Sequence, residues 1–257
     1  MIVKDILFKV AAVEFPVADV IKLTLKADKP LPKIRAGQFL NLEVPDKSLI
    51  LRRPFCIYDY DETSVVTYAA VVGKGTAALK GVKKGDSLMA TMPLGNGFFI
   101  PQHKNVGLLG GGMGCAELFS VTKDKGADGD RKFYAYLGFA NKDRVLFTDD
   151  FAATCDKVVV CTGDGSYGVK GYPMTELKKD LAKLDVVLVC GPLGMVKALQ
   201  AEFKDIDIPV FVSMEQRMAC GVGACLVCTC PVNDGGAVKN KRVCFDGPVF
   251  ELKDLVL

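Results

Sequence analysis

The chain has 257 residues, half of them hydrophobic, and a net charge of only +3 at pH 7. This length accommodates two domains and a smaller third, and the weak charge without a Lys/Arg block excludes a nucleic-acid-binding arm. No apolar run reaches the ~18 residues of a membrane span, and charged residues interrupt the apolar N-terminus, so neither a membrane anchor nor a signal peptide is expected.

The first hundred residues are typical of β-structure. Short alternating runs such as Val20–Leu25, Phe39–Val44 and Val65–Val72 are separated by Pro and Gly turns, and no 12-residue helical period appears. We therefore predict a small antiparallel β-barrel domain over residues 1–100. Within it, Leu51-Arg-Arg-Pro-Phe-Cys-Ile-Tyr58 reads by itself as a strand with two arginines.

The pattern changes over residues 101–212, where apolar strands alternate with helix-like stretches. Alternating β and α units predict a parallel sheet covered by helices on both faces, an α/β nucleotide-binding domain. The predicted strands are Val106–Leu109, Phe133–Leu137, Lys157–Cys161 and Val186–Cys190, and the predicted helices are Ala116–Lys123, Thr175–Lys183 and Met195–Phe203.

Two turns of this domain are candidates for nucleotide binding, because each follows a strand and opens a helix. In the first, glycines without a Cβ would let the backbone approach a diphosphate at the helix N-terminus. A bare tight turn is the alternative. Open α/β sheets bind ligands at the carboxyl ends of their strands, where both turns fall. The predicted contact residues are Gly110, Gly111, Gly112 and Gly114 in the first turn and Cys190, Gly191 and Pro192 in the second.

We predict a small C-terminal [2Fe–2S] cluster domain over residues 213–257, which completes an α+β multidomain chain, because this segment contains four cysteines at metal-ligand spacing. Cys220, Cys225 and Cys228 read C-x4-C-x2-C, and Cys244 follows sixteen positions later. This is the ligand pattern of plant-type [2Fe–2S] ferredoxins. Zinc is the rival metal, although structural zinc sites favour paired knuckles, and buried metal-free cysteines are the third alternative. Cys230 fits no ligand spacing and is interpreted as a neighbour.

The number of cysteines also indicates the cellular compartment of the protein. Ten cysteines without a signal peptide predict a reducing, cytoplasmic location and metal binding rather than disulfides.

Together these motifs resemble the ferredoxin-reductase superfamily, whose flavin barrel carries Arg-x-aromatic-Ser/Thr. The resemblance implies that Arg53 pairs with an FAD diphosphate, that Phe55 lies near the flavin ring, and that Cys56 replaces the usual hydroxyl near flavin N5. A thiol is the weaker hydrogen-bond donor. The flavin-binding residues implied are Arg53, Pro54, Phe55, Cys56, Tyr68, Ala69, Ala70, Gly75 and Thr76.

Within that superfamily the chain resembles the electron-transfer subunits of NAD-linked (class 1B) dihydroorotate dehydrogenase. The resemblance is carried by Arg52-Arg-Pro-Phe, Gly110-Gly-Gly-Met-Gly, Asp164-Gly-Ser-Tyr, Met218-Ala-Cys-Gly and Arg242-Val-Cys-Phe-Asp-Gly-Pro. A departure occurs at Glu117, where the family's loop usually continues with proline.

The resemblance implies an oxidoreductase subunit with FAD, a [2Fe–2S] cluster and NAD, but with no catalytic acid or base of its own. It implies a flavin-containing dihydroorotate dehydrogenase catalytic subunit as partner, in a heterotetramer of two plus two chains, and a role in pyrimidine biosynthesis. No nucleic acid or membrane partner is expected.

Two alternatives stay open from sequence. One is the flavin and iron–sulfur subunit of an NAD(P)H-dependent electron-bifurcating transhydrogenase or sulfide dehydrogenase. The other concerns the nucleotide, since Lys142 and Arg144 would suit the 2′-phosphate of NADP.

Overall fold

The computed structural model describes residues 3–100 and 102–257, so the domain boundary predicted at residue 101 falls outside the described residues. The chain divides into two compact units. The first comprises the residues up to Gly97 with Gln216–Thr229 and Arg242–Pro248, and the second comprises Phe98–Glu215, Cys230–Lys241 and Val249–Leu257. The three predicted domain ranges remain predictions.

The first unit is built on a seven-stranded sheet, in the order β4-β3-β7-β1-β2-β6-β5, with every pair antiparallel. The edges approach each other, because the hydroxyl of Thr67 donates to the carbonyl of Cys56 at 2.8 Å. The antiparallel barrel predicted from sequence is thereby confirmed. Its elements are β1 (Lys4–Val17), β2 (Val20–Ala27), β3 (Phe39–Leu42), β4 (Arg53–Cys56), β5 (Asp59–Tyr60), β6 (Ser64–Ala70), the short helix α1 (Lys74–Leu79) and β7 (Ser87–Leu94).

Alternation along the strands explains the barrel's core. In β2, Ile21, Leu23 and Leu25 are fully buried, whereas Lys22 and Thr24 between them are only partly buried. Successive strand side chains point to opposite faces, so one face fills the barrel interior and the other meets its surroundings.

The second unit is an open parallel sheet. Its strands lie in the order β11-β10-β9-β8-β12-β13, all parallel. Its elements are β8 (Asn105–Gly111), α2 (Gly114–Phe119), β9 (Lys132–Phe139), α3 (Thr148–Thr154), β10 (Lys157–Thr162), β11 (Val169–Lys170), α4 (Pro173–Lys178), β12 (Val186–Cys190), α5 (Leu193–Glu202) and β13 (Val210–Ser213). All five residues of β12 are buried, as expected for a strand covered on both faces.

The strand order identifies where a ligand would bind in this sheet. The chain runs outward from β8 through β9 to β10 and then returns to the other side of β8 with β12. The carboxyl ends of β8 and β12 thus form a topological switch point, the crevice in which such sheets bind nucleotides.

The C-terminal segment is distributed over both units. The strands β14 (Thr229–Asp234) and β15 (Ala237–Arg242) form a hairpin, and β16 (Val249–Glu251) adds antiparallel to β13. The two stretches that carry the four predicted metal ligands belong to the first unit. Among the described residues, no helix is long and apolar enough to cross a membrane.

Candidate functional site

The four predicted metal ligands lie in one loop and one turn of the first unit. Cys220, Cys225 and Cys228 occupy the segment 216–229, which we call the ligand loop, and Cys244 occupies the segment 242–247, which we call the ligand turn. Gly221 and Gly223 have φ of +72° and +84°, a left-handed conformation that glycine adopts without strain. These glycines let the ligand loop fold back on itself.

The thiols are arranged as two pairs. The Sγ of Cys220 accepts the backbone N–H groups of Val222 and Cys225, both at 3.4 Å, and also contacts the Cys225 side chain. The Sγ of Cys228 accepts the N–H of Cys244 at 3.4 Å, and the two side chains interact. A [2Fe–2S] cluster needs this division, because four thiolates are shared between two irons.

The same geometry does not suit a single zinc ion. A structural zinc site brings four ligands to one point in a tetrahedron. Among the described residues, no group of three or more His, Cys, Asp or Glu side chains could hold one metal ion. Of the alternatives left open by sequence, the paired arrangement favours the binuclear cluster.

Burial differs across the two pairs. Cys228 and Cys244 are buried, whereas Cys225 is exposed. Burial opposes ionisation of Cys220, but the N–H groups of Val222 and Cys225 outweigh it and lower the pKa of this thiol to about 6. The N–H donors around the first pair therefore favour the thiolate form that binds iron.

The predicted flavin residues converge on the same unit. Arg53 lies on β4, and its guanidinium covers Gly75 so closely that a Cβ there would lie 2.4 Å from Arg53 Nε. The Thr76 hydroxyl accepts the N–H groups of Val72 (3.0 Å) and Gly73 (3.2 Å), which shapes the entry to α1. A guanidinium beside a glycine turn is a suitable cradle for a diphosphate.

The remaining predicted flavin residues lie on the edge strand β4 and on β6, which neighbours the other edge strand, β5. Phe55 and Cys56 end β4, and the Cys56 carbonyl is held by Thr67 of β6. On β6, the ring of Tyr68 packs edge-to-face against Tyr58 with centroids 4.8 Å apart. Pro54 pairs with Asn41 of β3, whereas Ala69 and Ala70 continue β6. These predicted residues therefore lie on neighbouring parts of the barrel, which we call the flavin surface, although the Ala69 side chain is buried in the barrel core.

Strand β3 joins this surface to the ligand loop. The Nδ2 of Asn41 donates to the carbonyl of Cys220 at 3.4 Å, and a Cβ on Gly221 would lie 2.7 Å from the same Nδ2. The buried Oδ1 of Asn41 has no hydrogen-bond partner among the described residues. Strand β3 therefore contacts the ligand loop through the Asn41 side chain and the flavin strand β4 through its backbone ladder. Sequence reasoning missed Asn41, because nothing local marks it.

In the second unit, the two predicted nucleotide turns are in contact. A Cβ on Gly114 would lie 2.5 Å from the carbonyl oxygen of Cys190, and one on Gly111 would lie 2.9 Å from Pro192. A Cβ on Gly191 would lie 3.1 Å from the Gly111 Cα, whereas a Cβ on Gly112 would have no neighbour within 4 Å. Gly111, Gly114 and Gly191 are thus required by the close approach of the two turns, whereas Gly112 has a positive φ of +56°.

A polar cluster lies beneath these turns and was not predicted as a unit. Glu117 of α2 accepts hydrogen bonds from the Ser213 hydroxyl and, at 3.5 Å, from the Cys190 thiol. Burial, together with the neighbouring Glu215, raises the pKa of Glu117 to about 7, against the hydrogen bond from Ser213. Burial also raises the pKa of Glu215. Cys190 therefore has a protonatable partner at the switch point.

Comparisons with known proteins agree with this arrangement. Residues 215–256 match the family described as the iron–sulfur cluster binding domain of dihydroorotate dehydrogenase B. The electron transfer subunit of dihydroorotate dehydrogenase B (NAD(+)) from Streptococcus mutans is 38% identical over 247 residues, which are 93% of each chain. The subunit of the same name from Caldanaerobacter subterraneus is 38% identical over 90% of this chain and 89% of its own.

Solved structures share the fold. An NADH-dependent reduced ferredoxin–NADP oxidoreductase superposes with a TM-score of 0.84 and 28% identity, covering 97% of this chain and 89% of that one. Phthalate dioxygenase reductase superposes with a TM-score of 0.66 over 93% of this chain and 76% of that one, but at 16% identity it supports the fold alone.

Proposed function

Because the chain belongs to the family of electron transfer subunits of NAD(+)-dependent dihydroorotate dehydrogenase B, we propose that it carries electrons from a dihydroorotate-oxidising partner subunit to NAD⁺. The observation that carries the proposal is that β3 contacts both the ligand loop, which carries paired cysteines, and β4, which carries predicted flavin residues, within one compact unit.

The groups that fit the site are FAD, a [2Fe–2S] cluster and NAD(H). FAD, when bound, exchanges electron pairs with nicotinamide and single electrons with an iron–sulfur centre. The chain's own residues bind and orient: Arg53 and the Gly75–Thr76 turn for the diphosphate, and Phe55 and Cys56 for the flavin ring. The two turns at the switch point hold the nucleotide.

The metal ligands in this proposal are Cys220, Cys225, Cys228 and Cys244. The backbone N–H groups that contact Cys220 and Cys228 would stabilise these sulfurs as the thiolates that hold the cluster. Cys230 is outside the ligand set in this proposal, because it fits no ligand spacing.

The ligand loop and the ligand turn carry exposed apolar residues that could contact a partner protein. Val222, Leu226, Val227 and Phe245 are large apolar residues exposed by 46%, 62%, 54% and 56% respectively. Single exposed apolar residues are ordinary, but a group of them around a redox centre supports the binding of a protein there. We infer that the catalytic subunit covers this surface, in a heterotetramer of two plus two chains.

NAD rather than NADP is supported by the second unit. A surface pocket beyond β9 is lined by Lys142, but Asp149 and Asp150 line it as well. We infer that the ribose 2′ group lies at this pocket, where the two carboxylates would repel a 2′-phosphate. Cytoplasmic location is proposed from the ten cysteines, none of which forms a disulfide.

The test is reconstitution with the catalytic subunit. The complex should reduce NAD⁺ with dihydroorotate, whereas this chain alone should oxidise NADH with artificial acceptors and leave dihydroorotate unchanged. A brown, FAD-containing chain that oxidises NADH but never couples to dihydroorotate in the complex would overturn the proposal.

A second candidate function is a subunit of a bifurcating reductase. It is favoured by the 28% identity to the NADH-dependent reduced ferredoxin–NADP oxidoreductase. The family relatives are more similar, at 38% identity. Activity of the uncoupled chain with ferredoxin and NADPH would identify the second function.

A further inference from the structure

We propose that Arg242 is a positioning residue for the [2Fe–2S] site, whose guanidinium holds the ligand loop in register with the ligand turn. The inference rests on the proposed function, because it presupposes the cluster. It assigns a task to a residue that supplies no ligand and that lies two positions before Cys244.

On the side of the ligand turn, Arg242 forms a two-pronged ion pair with Asp246. Its Nε lies 2.8 Å from Oδ2 and its Nη2 lies 3.0 Å from Oδ1. The backbone N–H of Arg242 also donates to Oδ2 at 2.8 Å. The side chains are exposed by only 30% and 26%, so solvent screens this pair less than it screens a surface pair.

On the side of the ligand loop, the third nitrogen of the same guanidinium takes part. Nη1 of Arg242 donates to the carbonyl of Gly223 at 3.2 Å. The guanidinium carbon lies 4.4 Å from the centre of the Phe245 ring, and a Cβ on Gly223 would lie 2.8 Å from Phe245 Cβ. The loop and the turn are therefore packed together around Arg242 without a gap.

The ligand turn is itself attached to the barrel. Asn96 donates through Nδ2 to the Asp246 carbonyl at 2.5 Å and through its backbone N–H to the Gly247 carbonyl at 2.7 Å. A Cβ on Gly95 would lie 2.5 Å from Pro248. All of these residues belong to the first unit. Arg242 thus extends a barrel-anchored turn to the loop that carries three of the four ligands.

Only a planar fork can make these contacts at once. Arginine presents several donors in fixed directions, whereas lysine supplies a point charge of the same sign. The two substitutions Arg242→Lys and Arg242→Gln therefore separate the geometric role from a purely electrostatic one. Lys241→Gln is the matched control. This substitution also removes one positive charge, one position away, but Lys241 pairs with Asp234 at 2.7 Å and not with Asp246.

The experiment measures how fast anaerobically purified, fully loaded chain loses iron to EDTA, together with the electron paramagnetic resonance spectrum of the reduced cluster. We expect Arg242→Lys and Arg242→Gln to lose iron about tenfold faster than the unaltered chain, the scale at which residues around a metal site act. Their spectra should broaden while FAD stays bound. Lys241→Gln should match the unaltered chain in both measurements.

Asp246→Asn provides an independent variant. It removes the negative charge that pairs with the Arg242 guanidinium and so weakens the ion pair, but it leaves Arg242 in place. It should also accelerate iron loss, and it decides the matter if the Arg242 variants fail to fold. Iron retention and spectra like those of the unaltered chain in Arg242→Lys would overturn the positioning role, as would unchanged retention in Asp246→Asn. An unaltered chain that takes up no iron would instead refute the proposed function.

Discussion

The cysteines of the C-terminal segment differ in their burial and in the groups that contact them. Cys225 is exposed and belongs to a pair with Cys220, whereas Cys230 is buried two positions beyond the last loop ligand. Spacing alone predicts this difference in role, and it stays a prediction. The N–H donors to Cys220 and Cys228 favour the thiolate form of those two sulfurs.

The first prediction separates these thiols. Cys225→Ala should abolish the visible absorbance and the reduced-state resonance signal of the cluster, because one iron loses a ligand. Cys230→Ala should keep both. Iron and sulfide analysis after anaerobic reconstitution measures the outcome, and retention of a full cluster in Cys225→Ala would contradict the ligand assignment.

Glu117 is a buried carboxyl at the switch point of the parallel sheet. Its carboxyl is held by Ser213 and Cys190 at the switch point, and burial raises its pKa to about 7. An acid whose pKa is raised on folding holds its proton more tightly in the folded state than in the unfolded chain. Its contribution to stability is complete below its ordinary pKa and is lost as pH rises through about 7.

The second prediction follows from this loss of stability with rising pH. Glu117→Gln cannot ionise, so it should gain stability relative to the unaltered chain as pH rises, by about 2 to 3 kcal/mol between pH ~5 and pH ~8. Tm measured by circular dichroism at the two pH values gives the result, since the chain contains no tryptophan. An equal Tm difference at both values would show that Glu117 does not titrate in this range.

At the scale of elements, the alternating strands were predicted well and the short helices less well. The predicted run Val20–Leu25 lies within β2, and Val186–Cys190 coincides with β12. The helix predicted over Ala116–Lys123 is instead α2 followed by a 3-10 helix at Ser120–Lys123. Hydrophobic periodicity cannot distinguish a turn of α-helix from one of 3-10 helix.

Other elements were missed for identifiable reasons. Strand β1 is the longest in the chain's described part, but register shifts after Val10 and Glu14 interrupt its alternation. The contact of Asn41 with Cys220 joins residues 179 positions apart. Local patterns carry no information on such a contact, whereas the ligand and glycine motifs are local and were therefore visible.

The third prediction concerns the flavin turn. In Gly75→Ala the new methyl would displace the Arg53 guanidinium, a flexible group, so the barrel should fold but bind FAD about tenfold more weakly or worse. Gly81→Ala is the control, because a Cβ there meets only an ordinary contact at 3.6 Å. FAD retention during gel filtration and fluorescence titration report the affinity. Equal affinities in the two variants would refute the placement of the diphosphate beside Arg53.

At the scale of the whole molecule, chain order and spatial organisation differ. The ligand loop and ligand turn follow the parallel-sheet segment in sequence, yet they pack with the barrel in the first unit. The flavin surface and the four cysteines are consequently parts of one compact body. This arrangement is the physical basis for electron exchange between a flavin and a cluster held by a single chain.

The most direct test of this account follows the electrons themselves. Dihydroorotate is added anaerobically, without NAD⁺, to the complex of this chain with the catalytic subunit, and samples are frozen for electron paramagnetic resonance. The account predicts the signal of a reduced [2Fe–2S] cluster, its disappearance on addition of NAD⁺, and no signal in the complex carrying Cys225→Ala. A cluster that NADH reduces but dihydroorotate never does would contradict the proposed electron path.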